Sequence, residues 1–314
     1  MSRYVLNRIL YFIPTLFIVA VIVFLLIHLI PGDPAVVLLG DDANVADIAK
    51  VRKDMGLDKP LALQFGIWLG RTLKGDLGSS ILTKRPVVQS IIERFPVTIT
   101  LTTMALIFAL LIGLPSGIMS AIYQDTLKDQ LFLLGGILGL SIPGFWLGLM
   151  GLLLFSVHLN VLPCIGFVPI WEDFWSGLQY MILPSTTMGL YMAAVVARMI
   201  RSSMLEVLRL EYVTHARAKG LPEWRVILIH ALKNAFGPTL ITIGIQYGRL
   251  LGGAVVTETV FTLPGLGKYL LVSIYGRDYP AVQGCILLIA LVYIVINLLV
   301  DIFLCYFDPR IKSV

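Results

Sequence analysis

Charge is scarce in this chain. Only 14% of its 314 residues are Asp, Glu, Lys or Arg, while 58% are hydrophobic, and the mean hydropathy is +0.89. Soluble domains carry about 25% charged and roughly 45–50% apolar residues. A soluble globular domain is therefore excluded, and an integral membrane protein is expected. Thiols and imidazoles are scarce as well. The three cysteines, Cys164, Cys285 and Cys305, stand in no C-x-x-C spacing, and His28, His158, His215 and His230 are scattered. Neither a disulfide framework nor a metal site is expected. No phosphate loop of the form G-x-x-x-x-G-K-[ST] occurs, so the chain is not expected to bind ATP in that manner. The lack of a nucleophile elbow, a zincin helix and a dinucleotide fingerprint argues against a membrane enzyme. The net charge of +5, in so apolar a chain, reads as a topology signal rather than as nucleic-acid affinity.

What the chain has is apolar runs. Roughly 20 residues span the hydrocarbon core, and runs near that length fall at 9–30, 96–123, 131–159, 181–197, 236–257 and 283–305. The expected fold is an all-α membrane protein of six transmembrane helices. The first run is too long for a signal peptide, and Pro31-Gly32-Asp33-Pro34 stops it, so a retained first span is expected at residues 1–30. Residues 31–95 are polar and read as an external segment of amphipathic helices. Asn44 caps one with Ile48, Val51 and Met55 on a face; Pro60 starts another with Leu61, Phe65, Trp68 and Leu69, ended by Gly75; Pro86 begins a third with Val87, Ile91 and Ile92. Residues 96–314 form the core of five further spans.

Short connections fix the orientation. Arg3 and Arg8, Lys128, Arg198, Arg201, Arg209, Arg217, Lys219, Arg225 and Lys233, then Arg310 and Lys312, gather on one side. The connection holding Trp171-Glu172-Asp173 has no Lys or Arg, and the one before the sixth run has only Lys268 and Arg277. The positive-inside rule then places both termini and the 198–235 connection in the cytoplasm.

Within that connection, residues 211–235 are a polar, basic interruption between two apolar runs. A helix over 211–219, about 14 Å long at ~1.5 Å per residue, is closed by Gly220 in the left-handed conformation, and Pro222 suits the first turn of a following helix. The result is helix, corner, helix. Tyr212, Ala216 and Gly220 fall four apart and give a small face with one aromatic, while Arg217 and Lys219 lie on other faces. Such a knob reads as built to dock into a cleft on another protein, or else as a plain cytoplasmic loop.

Glycine spacing speaks to packing. Gly244, Gly248 and Gly252 make two overlapping G-x-x-x-G units in the fifth span, and Gly113/Gly117, Gly135/Gly139 and Gly144/Gly148 repeat the spacing. Arg249 is the deepest charge, with Gln246 and Gly253 on its face; Glu258 lies further out and Asp301 near the inner end of the sixth span. A charge at mid-membrane costs about 2.5–3.5 kcal/mol. Gln246, Arg249, Gly253 and Glu258 therefore read either as a polar translocation path or as buried contacts that hold helices together. Phe261, Pro264, Gly265 and Gly267 break the helix and let backbone lie at membrane depth, which is tolerated only beside protein or a wet cavity. By itself that stretch reads as a simple re-entrant turn. Asp278 before Tyr279-Pro280 launches the sixth span.

The run Tyr212-Val213-x-x-Ala216-Arg217-Ala218-Lys219-Gly220-Leu221, followed by His230-Ala231-Leu232-Lys233-Asn234-Ala235, resembles the coupling loop of ABC importer permeases. It most resembles the dipeptide/oligopeptide/nickel family and, within it, the B-type subunit of dipeptide permeases. Similar pieces run along the whole chain: Gly56-Leu57-Asp58-Lys59-Pro60, Gly75-Asp76-Leu77-Gly78, Ser141-Ile142-Pro143-x-Phe145-Trp146, Arg201-Ser202-Ser203-Met204-Leu205, the 252–267 stretch with Arg277-Asp278-Tyr279-Pro280, and Asp308-Pro309-Arg310. Gly237-Pro238 departs from the pattern, as does Cys164 after Leu162-Pro163.

The resemblance implies that Glu211, Tyr212, Ala216, Arg217, Ala218, Lys219, Gly220 and Leu221 seat a cytoplasmic ATPase, and that Phe261, Pro264, Gly265 and Gly267 belong to an outer gate beside the fifth span. It implies two ATPase subunits holding ATP and Mg2+, a second homologous permease, an extracytoplasmic binding protein and a bacterial inner membrane around them. The chain itself is expected to bind no cofactor, no metal and no nucleic acid, and to be a transport subunit rather than an enzyme. Dipeptides or oligopeptides, glutathione among them, are the expected cargo, with nickel or nickel chelates as the alternative. An ion-coupled secondary carrier is the competing class, but it would show inverted repeats and midplane acidic residues, and neither is evident.

Overall fold

A computed structural model describes residues 2–29, 44, 46, 52–53 and 58–307. Among these, all regular structure is helical apart from a single antiparallel bridge, Ser79 to Pro86. The first helix, α1, is Ser2–Leu29, and α2 is Leu61–Leu73. They are followed by α3, Val87–Ile122; α4, Leu127–Ser141; and α5, Gly144–His158. Then come α6, Phe174–Leu208; α7, Glu211–Ala218; α8, Glu223–Val260; α9, Leu266–Tyr275; and α10, Tyr279–Phe307. The helix expected after Asn44 and the motifs at 31–34, 56–57 and 308–310 lie outside the described residues.

Four helices, α3, α6, α8 and α10, are individually long and apolar enough to cross a membrane, and α4 with α5 makes a fifth if the bent pair is one span. In α1 the apolar stretch is the shorter Leu10–Leu26. The third expected span, read as one helix over 131–159, is instead bent by 96° between α4 and α5. The cause is local. Pro143 has no N–H to continue the ladder, and it holds the preceding Ile142 in extended backbone, φ −85° and ψ 125°. The separate surface helix expected from Pro86 is likewise absent. Residues 87–95 are the opening turns of α3, which runs through Pro96 and Pro115 without ending. Tertiary packing overrides the proline there. Val87 and Ile91 are buried against Leu266, Tyr269, Ala281 and Cys285 of α9 and α10.

The bounds of α2 follow from its local signals. Pro60 stands at its N-cap, and Gly75 takes φ +81° just past its end. No residue of α2 is buried; its Phe65 and Trp68 meet Phe17 and Phe24 of α1 at ring distances of 5.4–5.8 Å.

Between spans, apolar burial cannot drive association, because lipid is as apolar as Leu; contact area does, and small residues maximise it. The α3–α6 pair shows this. A Cβ on Gly113 would lie 2.7 Å from the Ala193 carbonyl oxygen, one on Gly117 would strike Ala197 and Ile200, and one on Gly189 would lie 2.7 Å from the Ala105 carbonyl oxygen. In α8, Gly244 and Gly248 take Val300 and Tyr293 of α10, whereas Gly252 meets nothing. Gly148 receives the Phe261 ring, while Gly135 and Gly144 face open space.

One end of the bundle is tied by charge. Arg201 of α6 donates to Asp129 of α4 through Nη2 at 2.7 Å and Nε at 3.0 Å, and to the Ser120 hydroxyl of α3 at 2.9 Å. Ser120 also donates to Asp129, and the Asp125 amide completes the cage at 3.1 Å. Asp129 is 2% exposed. At the other end of α6, Asp173 caps the helix by accepting from the amides of Trp175 and Ser176. The Ser176 hydroxyl beside it holds its carboxyl below the ordinary value.

Removing one partner of a buried ion pair costs about 3–5 kcal/mol, since the other charge is stranded. Arg201→Leu is expected to lower the thermal midpoint of the detergent-solubilised protein sharply. Arg201→Leu combined with Asp129→Asn should lose visibly less. Equal losses in the two would mean that the charge pair is not what joins these three helices.

Candidate functional site

The polar corner forms as a helix–turn–helix. Leu210, in extended backbone, precedes α7, and the helix closes in a Schellman turn. Gly220 takes φ +77°; its amide donates to the Arg217 carbonyl at 2.9 Å, and the Leu221 amide donates to Ala216 at 3.4 Å. Pro222 stands at the N-cap of α8, ahead of its first turn. The second helix of the corner is not separate from the fifth span. It is the first part of α8, which runs from Glu223 to Val260 and includes a π-helical turn at Val226–Ala231.

What fastens α7 to the bundle is mostly apolar. Val213 and Ala216, three apart, are 0% and 8% exposed and pack with Val226, Ile227 and Ala231 of α8 and Ile200 and Met204 of α6. Tyr212 adds a polar clamp: its hydroxyl donates to the His230 carbonyl at 3.1 Å and accepts from Asn234 Nδ2 at 2.7 Å. Arg217 donates to Glu223 across the corner at 2.7 Å, but both side chains are about half exposed, at 41% and 55%. Such a pair is worth about 0.2–1 kcal/mol, against about 1.5–3 kcal/mol for burying a Val or Leu side chain. Packing decides where α7 sits.

This revises one expected feature. Ala216 does not belong to an outward small face with Tyr212 and Gly220; it turns inward with Val213. The exposed face carries Glu211, His215 four residues on, and Ala218 and Lys219 three and four beyond that, with Gly220 and Arg217 beside it and Leu221 half-buried. His215 and Trp224, which is 56% exposed with the Arg225 guanidinium 5.1 Å from its ring centre, were not expected there. The signal for His215 was its i, i+4 spacing from Glu211; no spacing marked Trp224.

Along α8, Gln246, Arg249 and Gly253 share one face, as their spacing suggests. They line a cavity of about 380 Å³ completed by Thr187 and Tyr191 of α6 and Phe145 at the α4–α5 bend. Arg249 Nη1 donates to Gln246 Oε1 at 3.2 Å. Among the described residues no carboxylate forms an ion pair with Arg249. The volume falls in the ~300–1,000 Å³ range of small-molecule pockets.

Glu258 lies elsewhere. It is 0% exposed, and its carboxylate accepts from the Thr98 hydroxyl of α3 at 2.6 Å, from the Lys268 amide at 2.8 Å and from the Gly267 amide. The stretch after it turns sharply. Thr262 takes φ +57°, Phe261 is buried against Gly148, Pro264 is exposed and Gly265 caps α9. The expected path residues therefore divide: three line the cavity, and Glu258 joins Gly265 and Gly267 at the turn. Neither Thr98 nor the nearby tie from Asp278 was visible in the sequence. Asp278 accepts from the Ile81 amide at 3.0 Å and from the Ser80 hydroxyl, binding the 78–86 loop to the start of α10.

A multi-pass helical bundle with a glycine-cornered helix fastened to one end of a long span, and a mostly apolar cavity that holds Gln246 and Arg249 further along that span, defines a membrane transport subunit. The chain belongs to the binding-protein-dependent transport system inner membrane component family, whose model matches residues 113–313; the N-terminal component of the same systems matches residues 1–102. It is the permease component of an ABC importer and a multi-pass inner-membrane protein. It is 44% identical over 312 residues to the glutathione transport system permease protein GsiC of Salmonella typhimurium (strain LT2), 46% to that of Pectobacterium atrosepticum and 43% to that of Escherichia coli K12. Each alignment covers 99% of both chains. Two inward-facing crystal forms of the MetNI methionine ABC transporter share the fold. Their TM-scores are 0.56 and 0.58 at 17% identity, over 69–70% of this chain and 96–97% of theirs.

Tyr212→Phe removes the hydroxyl that joins α7 to His230 and Asn234. One such hydrogen bond contributes about 1 kcal/mol, so the α7 amides should exchange roughly fivefold faster with solvent deuterium. Unchanged exchange would show that packing of Val213 and Ala216 alone holds the helix.

Proposed function

We propose that this chain is the permease through which an ATP-driven importer admits small peptides, glutathione among them. One of two cytoplasmic ATPases, binding ATP and Mg2+, seats on the exposed face of α7. A second homologous permease, in a heterodimer, faces the Arg249 cavity, and a binding protein delivers cargo on the opposite side. The α7 end, with Arg198, Arg201, Arg209, Lys219 and Lys233, is cytoplasmic, as are both termini.

One observation carries the reading: the corner is fixed to a helix that itself lines the cavity. Val213 and Ala216 pack on the first turns of α8, and Arg249 lies about 23 residues further along the same helix, roughly 35 Å at ~1.5 Å per residue. A push on α7 is delivered to Arg249 without crossing a loop. ATP binds the closed ATPase dimer better than the open one, and that difference in affinity supplies the bias for alternating access.

Cargo follows from the cavity. An exposed guanidinium steadied by Gln246 suits a carboxylate, and every free peptide carries one. The name shared by the GsiC relatives points the same way. Nickel import by the same machinery is the alternative, and it enters the test as a separate arm.

The test is uptake into proteoliposomes holding the complete complex, with glutathione, a dipeptide and nickel offered in turn. ATP-dependent peptide uptake is expected; uptake driven by an ion gradient without ATPases would sink the proposal. Gly220→Val places a β-branched residue at φ +77° and should abolish uptake while leaving membrane insertion intact. Arg249→Gln removes a charge-assisted contact worth about 1.5–3 kcal/mol, so half-saturation for peptide should rise about tenfold or more.

A further inference from the structure

The turn between α8 and α9 encloses a carboxylate that the transport cycle above does not use. Glu258 is fully buried and close to the end of a span, where a lone charge is poorly tolerated. Its partners explain how it persists. The first turn of a helix has amides with no partner inside the helix, and those of α9 belong to Leu266, Gly267 and Lys268. The Lys268 and Gly267 amides donate to Glu258, and the Leu266 amide donates to Thr98 Oγ1 at 2.8 Å. The Thr98 hydroxyl in turn donates to Glu258 at 2.6 Å. All three amides are thus satisfied by side chains of α3 and α8. The local N-cap residue, Gly265, supplies none, because a Cβ there would strike the Glu258 carboxylate. Gly267 is equally confined, since its Cβ would lie 2.8 Å from the Val255 backbone. Just before them, the β-branched Thr262 is held at φ +57°, a strained conformation that persists only when its surroundings impose it.

We propose that Glu258 and Thr98 are positioning residues of the outer turn: together they pin the start of α9 to α3 and α8. The turn then opens only when those two spans move apart, and it stays shut while the complex idles. This rests on the importer reading above, and it assigns Glu258 to gate control rather than to the cargo path.

The experiment measures ATP hydrolysis by the reconstituted complex, with and without its binding protein, and peptide taken up per ATP. Thr98→Val keeps the volume but leaves the Leu266 amide unpaired and takes one donor from Glu258. Hydrolysis without binding protein should rise about tenfold, the effect of losing one hydrogen bond to a charged group, and uptake per ATP should fall. Glu258→Gln, with the same shape and no charge, should shift both in the same direction. Thr98→Ser retains the hydroxyl and should restore wild-type values. Activity that falls only in proportion to assembled complex, with uptake per ATP unchanged, overturns the proposal. In the wild-type complex, the amides of residues 266–268 should exchange with deuterium no faster than the last turn of α8. Faster exchange there overturns it too, even if neither variant assembles. A wild-type complex with no ATP-driven uptake counts against the importer reading, and the exchange result still decides the role of the pin.

Discussion

Hydrocarbon offers no hydrogen bonds, so every backbone amide and carbonyl at membrane depth must find a partner within the protein. Continuous helices meet that condition by themselves, and each break in a helix violates it. Three of the breaks here are repaired by a side chain from a different element. Between α8 and α9, Thr98 and Glu258 take the free amides of α9. Before α10, Asp278 takes the amide of Ile81 from the loop ahead of α3. Between α3 and α4, Asp129 takes the Asp125 amide while paired with Arg201. The polar residues of this chain are few, and at these places they join helices through the breaks.

The glycines divide the surface of each span into closed and open faces. Gly113, Gly117 and Gly189 bring α3 and α6 together with backbone atoms in the way of any larger residue, so that pair has little freedom to slide. Gly244 and Gly248 hold α8 against the side chains of Val300 and Tyr293, which can rotate away. One contact is set by fixed backbone and the other by movable side chains. A span that must tilt during a transport cycle is better served by the second kind, and α8 is the span that runs on from the corner, although the corner also packs on α6.

Much of this was legible in the sequence, and the parts that were not have a common cause. Gly220, Pro222, Pro60 and Gly75 act through their own backbone restrictions, and the structure places each corner where those residues stand. The face shared by Gln246, Arg249 and Gly253 follows from helical spacing alone. Partners from distant elements left no local trace: Thr98 sits 160 residues from Glu258, and Ser80 lies 198 from Asp278. Ala216 was misplaced because spacing gives the residues of a face without saying which way the face points; the buried Val213 decides that. The bend at Pro143 was masked by unbroken hydropathy on both sides of it. Pro96 misled in the opposite sense, since α3 absorbs it where Val87 and Ile91 are already packed.

Arg249 bears on whether this chain is complete by itself. In the isolated chain its side chain is exposed, as are Gly252 and Gly253 on neighbouring positions of α8. A guanidinium facing lipid near the middle of a span would cost about 2.5–3.5 kcal/mol, and its neighbours Gly252 and Gly253 offer no side chain to shield it. Gln246 supplies one acceptor, which cannot balance a full charge. That face is therefore built for water or for protein. Open glycines next to an exposed cation match a surface that another helix approaches closely while leaving a wet space beside it. A second permease seated there would close the cavity into a path and remove the lipid-facing charge in the same step. The same residues thus disfavour leaving this face bare against lipid.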